Sequence, residues 1–161
     1  MPRHQASIAS LQTALSMELT AIQQYLLHAH VLDDWGLDKL AVKMREEMQE
    51  ELGHAGQFID RILYLGGSPD LVPAGKPKKA DSLQAMFEGD RDDEAEAIDF
   101  YAGAAKAAGE INDIGTRVLF ETIALDEEGH WGWLDQQLNL LARMGEPAFM
   151  QTYFTGVSPG A

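Results

Sequence analysis

The 161-residue chain contains no cysteine. That absence excludes disulfides, thiolate-bound zinc and iron-sulfur clusters, and leaves carboxylates and imidazoles to hold any metal. Iron and manganese suit such a donor set. Basic residues are scarce as well: 12 Lys and Arg stand against 26 Asp and Glu, for a formal net charge of -14 at pH 7. Nucleic-acid phosphates call for a basic surface, so that class of partner is excluded. An acidic chain suits cations, although solubility alone also favours it. No apolar run approaches the roughly twenty residues that span a bilayer. The chain opens Met1-Pro2-Arg3-His4, without the charged start and apolar stretch of a signal peptide. The expectation is a soluble cytoplasmic protein without membrane contact, with residues 1–161 forming one domain.

What the chain has in abundance is helical periodicity. Apolar residues recur three and four apart from Ser7 to Asp34, at Ile8, Leu11, Leu15, Leu19, Ile22, Leu26 and Ala29. Trp35-Gly36 breaks this first helix. A second run extends from about Asp38 through Leu40, Met44, Met48, Leu52, Phe58 and Ile62 to Leu65, before Gly66-Gly67, and completes a hairpin. Pro69, Pro73, Gly75 and Pro77 then mark a long connection, after which Asp81 or Ser82 caps a third helix running to about Asn112. A fourth helix runs from about Asp113 to Met144, where Gly145 and Pro147 close it, and Ala148 to Phe154 can add one or two turns before a Pro/Gly tail. At roughly 3.3 Å per residue the connection over 66–80 reaches about 50 Å, more than the roughly 42 Å length of each helix. Two hairpins joined by one crossover form an all-α four-helix bundle, because either hairpin alone would expose its apolar stripe.

The chemistry lies in a doubled pattern. Glu51-Leu52-Gly53-His54 and Glu127-Glu128-Gly129-His130 each place a carboxylate and an imidazole at i, i+3 on one helix face. One Glu-x-x-His is weak evidence in an acidic helical chain. Here, however, Glu18 precedes Glu51 by the same interval that separates Glu94 from Glu127, and adding 76 to positions 18, 51 and 54 gives 94, 127 and 130. Two hairpins related by an approximate two-fold axis would show this. The offset also maps Tyr25 onto Tyr101 and Gly53 onto Gly129. A helical glycine costs about 1 kcal/mol relative to alanine, and close approach of a neighbouring helix or ligand is the expected compensation. The tyrosines are either core aromatics or hydroxyl donors to a ligand carboxylate. Four buried carboxylates could not remain unpaired, and two divalent ions would neutralise them. Glu46 and Glu50, like charges at i, i+4, suggest a weaker second cation site or simply a solvated acidic face.

The strings Glu18-Leu19-Thr20-Ala21-Ile22-Gln23-Gln24-Tyr25, Leu27-His28-Ala29, Trp35-Gly36-Leu37 and Asp126-Glu127-Glu128-Gly129-His130 resemble those of the bacterioferritins over nearly the whole chain. The resemblance implies a ferritin-like bundle with a short fifth helix, and a hollow shell of twenty-four subunits. It implies iron storage and detoxification: ferrous iron is oxidised by oxygen or peroxide at an intrasubunit di-iron ferroxidase centre and stored as ferric mineral. By the same resemblance Glu18 and Glu94 are terminal ligands, Glu51 and Glu127 bridging ligands, and His54 and His130 the imidazole ligands, with Tyr25 beside them. Many relatives also bind haem through a methionine directly after the first bridging glutamate, and this chain has Leu52 there. Met48 lies one turn earlier, a shift of about 6 Å. A shell of this chain alone is therefore expected to lack methionine-ligated haem b, unless it mixes with a haem-binding paralogue. The rival reading is a small di-iron or di-manganese peroxidase or catalase-like enzyme that stores nothing.

Overall fold

The structure, a computed structural model, describes residues 2–154. Five helices follow in order: α1 (Pro2–Asp34), α2 (Asp38–Tyr64), α3 (Leu83–Glu110), α4 (Ile114–Met144) and α5 (Glu146–Thr152). No described residue is in a strand, and none of these helices is long and apolar enough to cross a membrane. The Pro/Gly tail beyond Phe154 lies outside the described residues.

The helices begin where the side chains can satisfy their first amides. Ser82 accepts a hydrogen bond from Ala85 N at 3.1 Å and opens α3. Asp113 accepts from Thr116 N at 3.3 Å and opens α4, while Arg61 of α2 donates to the same carboxylate at 2.6 Å. Two expected boundaries move. The first helix starts at Pro2 rather than Ser7, and the last spans Glu146 to Thr152 rather than Ala148 to Phe154. Pro147 does not terminate α4; it sits in the first turn of α5, where the missing N–H of proline costs nothing. Gly145, at φ 77°, makes the break by itself.

α1 packs against α2 and α3 against α4, as two hairpins. Their turns match at the offset of 76: Gly36 (φ 80°) and Asn112 (φ 57°) take the same left-handed conformation, and α2 and α4 start 76 residues apart. The crossover between the hairpins is held on α1 by a polar stripe at four-residue spacing. Gln12 exchanges hydrogen bonds with the backbone of Asp70 at 2.5 and 2.9 Å, and Ser16 O accepts from Ala74 N at 3.0 Å. Thr20 Oγ1 accepts from Ala74 N and Gly75 N, and Gln24 exchanges hydrogen bonds with Lys78 at 2.9 Å. The backbone amides of a strandless connection thereby find partners.

The core divides into two apolar clusters. One contains Leu32, Leu40, Met44, Phe87 and Phe149; the other contains Leu11, Leu15, Phe58, Ile62 and Phe120. The predicted apolar stripes drift off the core midway along α1 and α2, where Leu26 is 44% and Leu52 is 52% exposed. The inward positions there belong to Glu18 and Tyr25 on α1, and to Glu47, Glu51 and His54 on α2. A polar layer thus separates two apolar ends.

Candidate metal centre

All six residues singled out by the doubled motif meet in that polar layer, each at most 7% exposed. They fall into two groups whose ligand atoms lie within 4.8 Å of one another: Glu18, Glu51, His54 and Glu127, and then Glu51, Glu94, Glu127 and His130. Glu51 and Glu127 belong to both. His54 Nδ1 lies 3.0 Å from Glu127 and 3.2 Å from Glu51, and His130 Nδ1 lies 3.0 Å from each of the same two carboxylates. The two rings face each other across 6.2 Å. A cavity of about 140 Å³ is lined by Glu18, Glu51, Glu94 and Glu127, and by the exposed Asp93 and Glu96, through which it reaches the surface.

The tyrosines carry the two-fold relation across the hairpins. Tyr25 donates to Glu94 at 2.6 Å, and Tyr101 donates to Glu18. Each hydroxyl therefore fixes the glutamate of the opposite half, and the oxygen it holds lies 3.7 Å from His130 Nδ1 in Glu94 and 3.8 Å from His54 Nδ1 in Glu18. Both tyrosines are also core residues, Tyr25 in one apolar cluster and Tyr101 in the other.

The electrostatics are those of a site short of positive charge. Burial, together with a hydrogen bond to Glu51, raises Glu18 well above the usual carboxylate range, and burial raises Glu94 likewise with help from Glu127. Burial opposes the charge on His54, but Glu127 and Glu51 outweigh it and raise its pKa to about 10. His130 is raised further, again against burial, by Glu127, Glu47 and Glu51. Glu51 and Glu127 are lowered despite burial, by the proximity of Glu18 and both histidines in one case and of both histidines and Glu94 in the other.

The donor set fits a pair of cations. Glu51 Oε1, both oxygens of Glu127, and His130 Nδ1 are buried and make no hydrogen bond, although His130 Nδ1 is only 3.0 Å from two carboxylates. Buried donor atoms that converge at this distance outside hydrogen-bond geometry are arranged as ligands around an ion.

The structure also alters several expectations. Glu46 is exposed and does not join Glu50; the carboxylate gathered with Glu50 and His130 is Glu47, which is buried because it lies one turn before Glu51 on the inward face. A Cβ at Gly53 or Gly129 would meet nothing within 4 Å, so no neighbouring helix of this chain accounts for either glycine. Met48 packs against the first apolar cluster, whereas Leu52 faces outward. Motif reading missed Glu47, and it missed Asp126, which lies 3.1 Å from His54 Nε2. It also missed the buried pair of His28 and Asp90 at 3.0 Å, which joins α1 to α3. The offset could have found Asp126, since adding 76 to Glu50 gives it; the His28 and Asp90 pair has alanines at the matching positions 104 and 14 and left no such signal.

A ferritin-like domain family matches residues 8–144. The bacterioferritin of Rhodobacter capsulatus is 40% identical over 142 residues, covering 88% of each chain. The chain belongs to the bacterioferritin family. The bacterioferritin of Brucella melitensis is 37% identical over 144 residues, covering 89% of each chain. Among solved structures, the R. capsulatus bacterioferritin, determined with a metal-free dinuclear site and haem iron, superposes with a TM-score of 0.92 at 37% identity over 96% of both chains. BfrA of Mycobacterium tuberculosis gives 0.90 at 34% identity, covering 92% of this chain and 94% of that one. Membership of the bacterioferritin family supports a role in iron storage, on a ferritin-like helical fold.

Proposed function

We propose that the chain is an iron-storing ferroxidase that binds two ferrous ions at the six-residue centre, oxidises them with oxygen or peroxide, and assembles into a twenty-four-subunit cytoplasmic shell that holds the ferric mineral. The observation that carries this reading is the convergence of Glu51, Glu127 and His130 atoms that make no hydrogen bonds. In this reading Glu18 and His54 hold one ion, Glu94 and His130 the other, and Glu51 and Glu127 bridge them. Each ferrous ion gives up one electron, so a pair reduces oxygen to peroxide or peroxide to water. Four carboxylates balance two divalent charges, so the centre takes up the ferrous pair without net charge. Tyr25 and Tyr101 fix the terminal carboxylates so that both ions meet preset ligands.

Light scattering behind size-exclusion chromatography, before and after aerobic addition of many ferrous ions per subunit, tests the reading. A shell-sized particle that gains mass is the expected result, and Glu94→Ala or His130→Ala should slow oxidation without dispersing the shell. A monomer or dimer that consumes only about two ions per chain would instead establish a small di-metal enzyme.

A further inference from the structure

Each histidine of the centre has two ring nitrogens, and the structure divides them in the same way twice. Nδ1 of His54 and Nδ1 of His130 face Glu51 and Glu127. The Nε2 atoms face outward instead, His54 to Asp126 at 3.1 Å and His130 to Glu50 at 2.6 Å. Asp126 and Glu50 are 76 residues apart, each stands directly before the bridging glutamate of its own helix, and each serves the histidine of the other helix. The two-fold relation seen in the ligands therefore extends to the groups behind them.

A histidine takes an ion on its unprotonated nitrogen while the other nitrogen keeps its proton, and an acceptor for that proton decides which is which. We propose that Glu50 and Asp126 are a matched pair of positioning residues that hold the histidine protons on Nε2 and thereby present Nδ1 of His54 and His130 to the two ions. This rests on the metal-centre reading above. Both carboxylates are about half exposed, at 55% and 52%, and stand on the solvent side of the rings. Glu18, Glu51, Glu94 and Glu127 cannot take this task, because their oxygens are gathered with Nδ1 in the two ligand groups.

One asymmetry sharpens the proposal. His130 Nε2 also lies 3.0 Å from the buried carboxylate of Glu47, at ion-pair distance, and Glu47 is in turn paired with Lys43. The positions 76 residues on from Lys43 and Glu47 are Leu119 and Ile123, so His54 has no second carboxylate of this kind beside its Nε2. Loss of Asp126 should therefore be felt more than loss of Glu50.

The test is anaerobic Co(II) titration of the assembled full-length protein, read by the visible absorption of bound Co(II), for wild type, Asp126→Ala, Asp126→Asn, Glu50→Ala and His54→Ala. Asp126→Ala should weaken one of the two ions about 10- to 100-fold and alter its spectrum. Asp126→Asn should recover most of that loss, since an amide oxygen still accepts the N–H, and Glu50→Ala should lose less than Asp126→Ala. Wild-type affinity and spectrum in Asp126→Ala would overturn the proposal, as would an Asn variant as weak as the Ala variant. A Glu50→Ala protein that loses only a separate third ion would overturn it too, by making Glu50 a ligand. The His54→Ala protein keeps the two readings apart. If it binds Co(II) like wild type, or if wild type binds none, the metal centre itself fails; if it loses an ion that Asp126→Ala retains, only the positioning role fails.

Discussion

Loading divalent ions into the metal-free protein should release at least one proton per ion. The neighbouring carboxylates raise His54 to about 10 and raise His130 as well, so each imidazole gives up a proton to the ion it binds. Burial raises Glu18 and Glu94 above the usual carboxylate range, which adds to the proton count wherever the pH lies below their raised values. The sign follows from the raised values: a proton held more tightly competes more strongly, and affinity falls as pH falls. The imidazole protons alone give about a tenfold rise in apparent affinity per ion per pH unit, up to the His54 value of about 10. The carboxyl protons steepen this towards a hundredfold while the pH stays below their raised values. Anaerobic titration with Zn(II) in weakly buffered solution, read with a pH indicator, counts the protons directly. Release of fewer than one proton per ion at pH 7.5, or an affinity flat from pH 7 to 9, would refute the reasoning, because the imidazoles would then be neutral before the metal arrives. The same shifts predict that the metal-free protein draws stability from His54 in full below about pH 6.5 and loses it as the pH rises through about 10.

Leu52→Met restores a thioether on an outward-facing position that is 52% exposed, and the purified variant should show a Soret band that the wild-type homopolymer lacks. An equal band in both would refute the assignment of position 52. Gly53→Ala and Gly129→Ala place a methyl where nothing of this chain lies within 4 Å, and each should stabilise its helix by about 0.5–1 kcal/mol. A fall in the denaturation midpoint would mean that a second subunit fills that space.

Helix number, the hairpin turns and the six convergent residues were legible because each rests on a short-range pattern: apolar spacing, Gly36 and Asn112 at the turns, and Glu-x-x-His at i, i+3. The offset of 76 supplied the long-range information, since repetition ties distant segments to one geometry. Where the halves differ, that information was missing. His28 with Asp90, and Lys43 with Glu47, have apolar counterparts in the other half, and so pass as ordinary polar residues until the fold brings them together. The stripe of Gln12, Ser16, Thr20 and Gln24 was hidden for another reason: its partners are backbone groups of the crossover, which carry no sequence signature. Pro147 misled because proline is compatible with the start of a helix as well as with its end.

The exchange of protons for ions bears on how a storage protein can use such a centre. Ions that pass through on the way to a mineral leave the centre empty between turnovers, and an empty cluster of four buried carboxylates would repel itself apart. Here each group has a partner without the metal: His54 and His130 pair with Glu127 and Glu51, and Tyr25 and Tyr101 keep hold of Glu94 and Glu18. The helices that carry these groups are fixed at both ends by apolar clusters, to which Tyr25 and Tyr101 join the polar layer. Filling and emptying thus change the occupant between the side chains without requiring the bundle to change its packing, and the two-fold arrangement gives both ions that property at once.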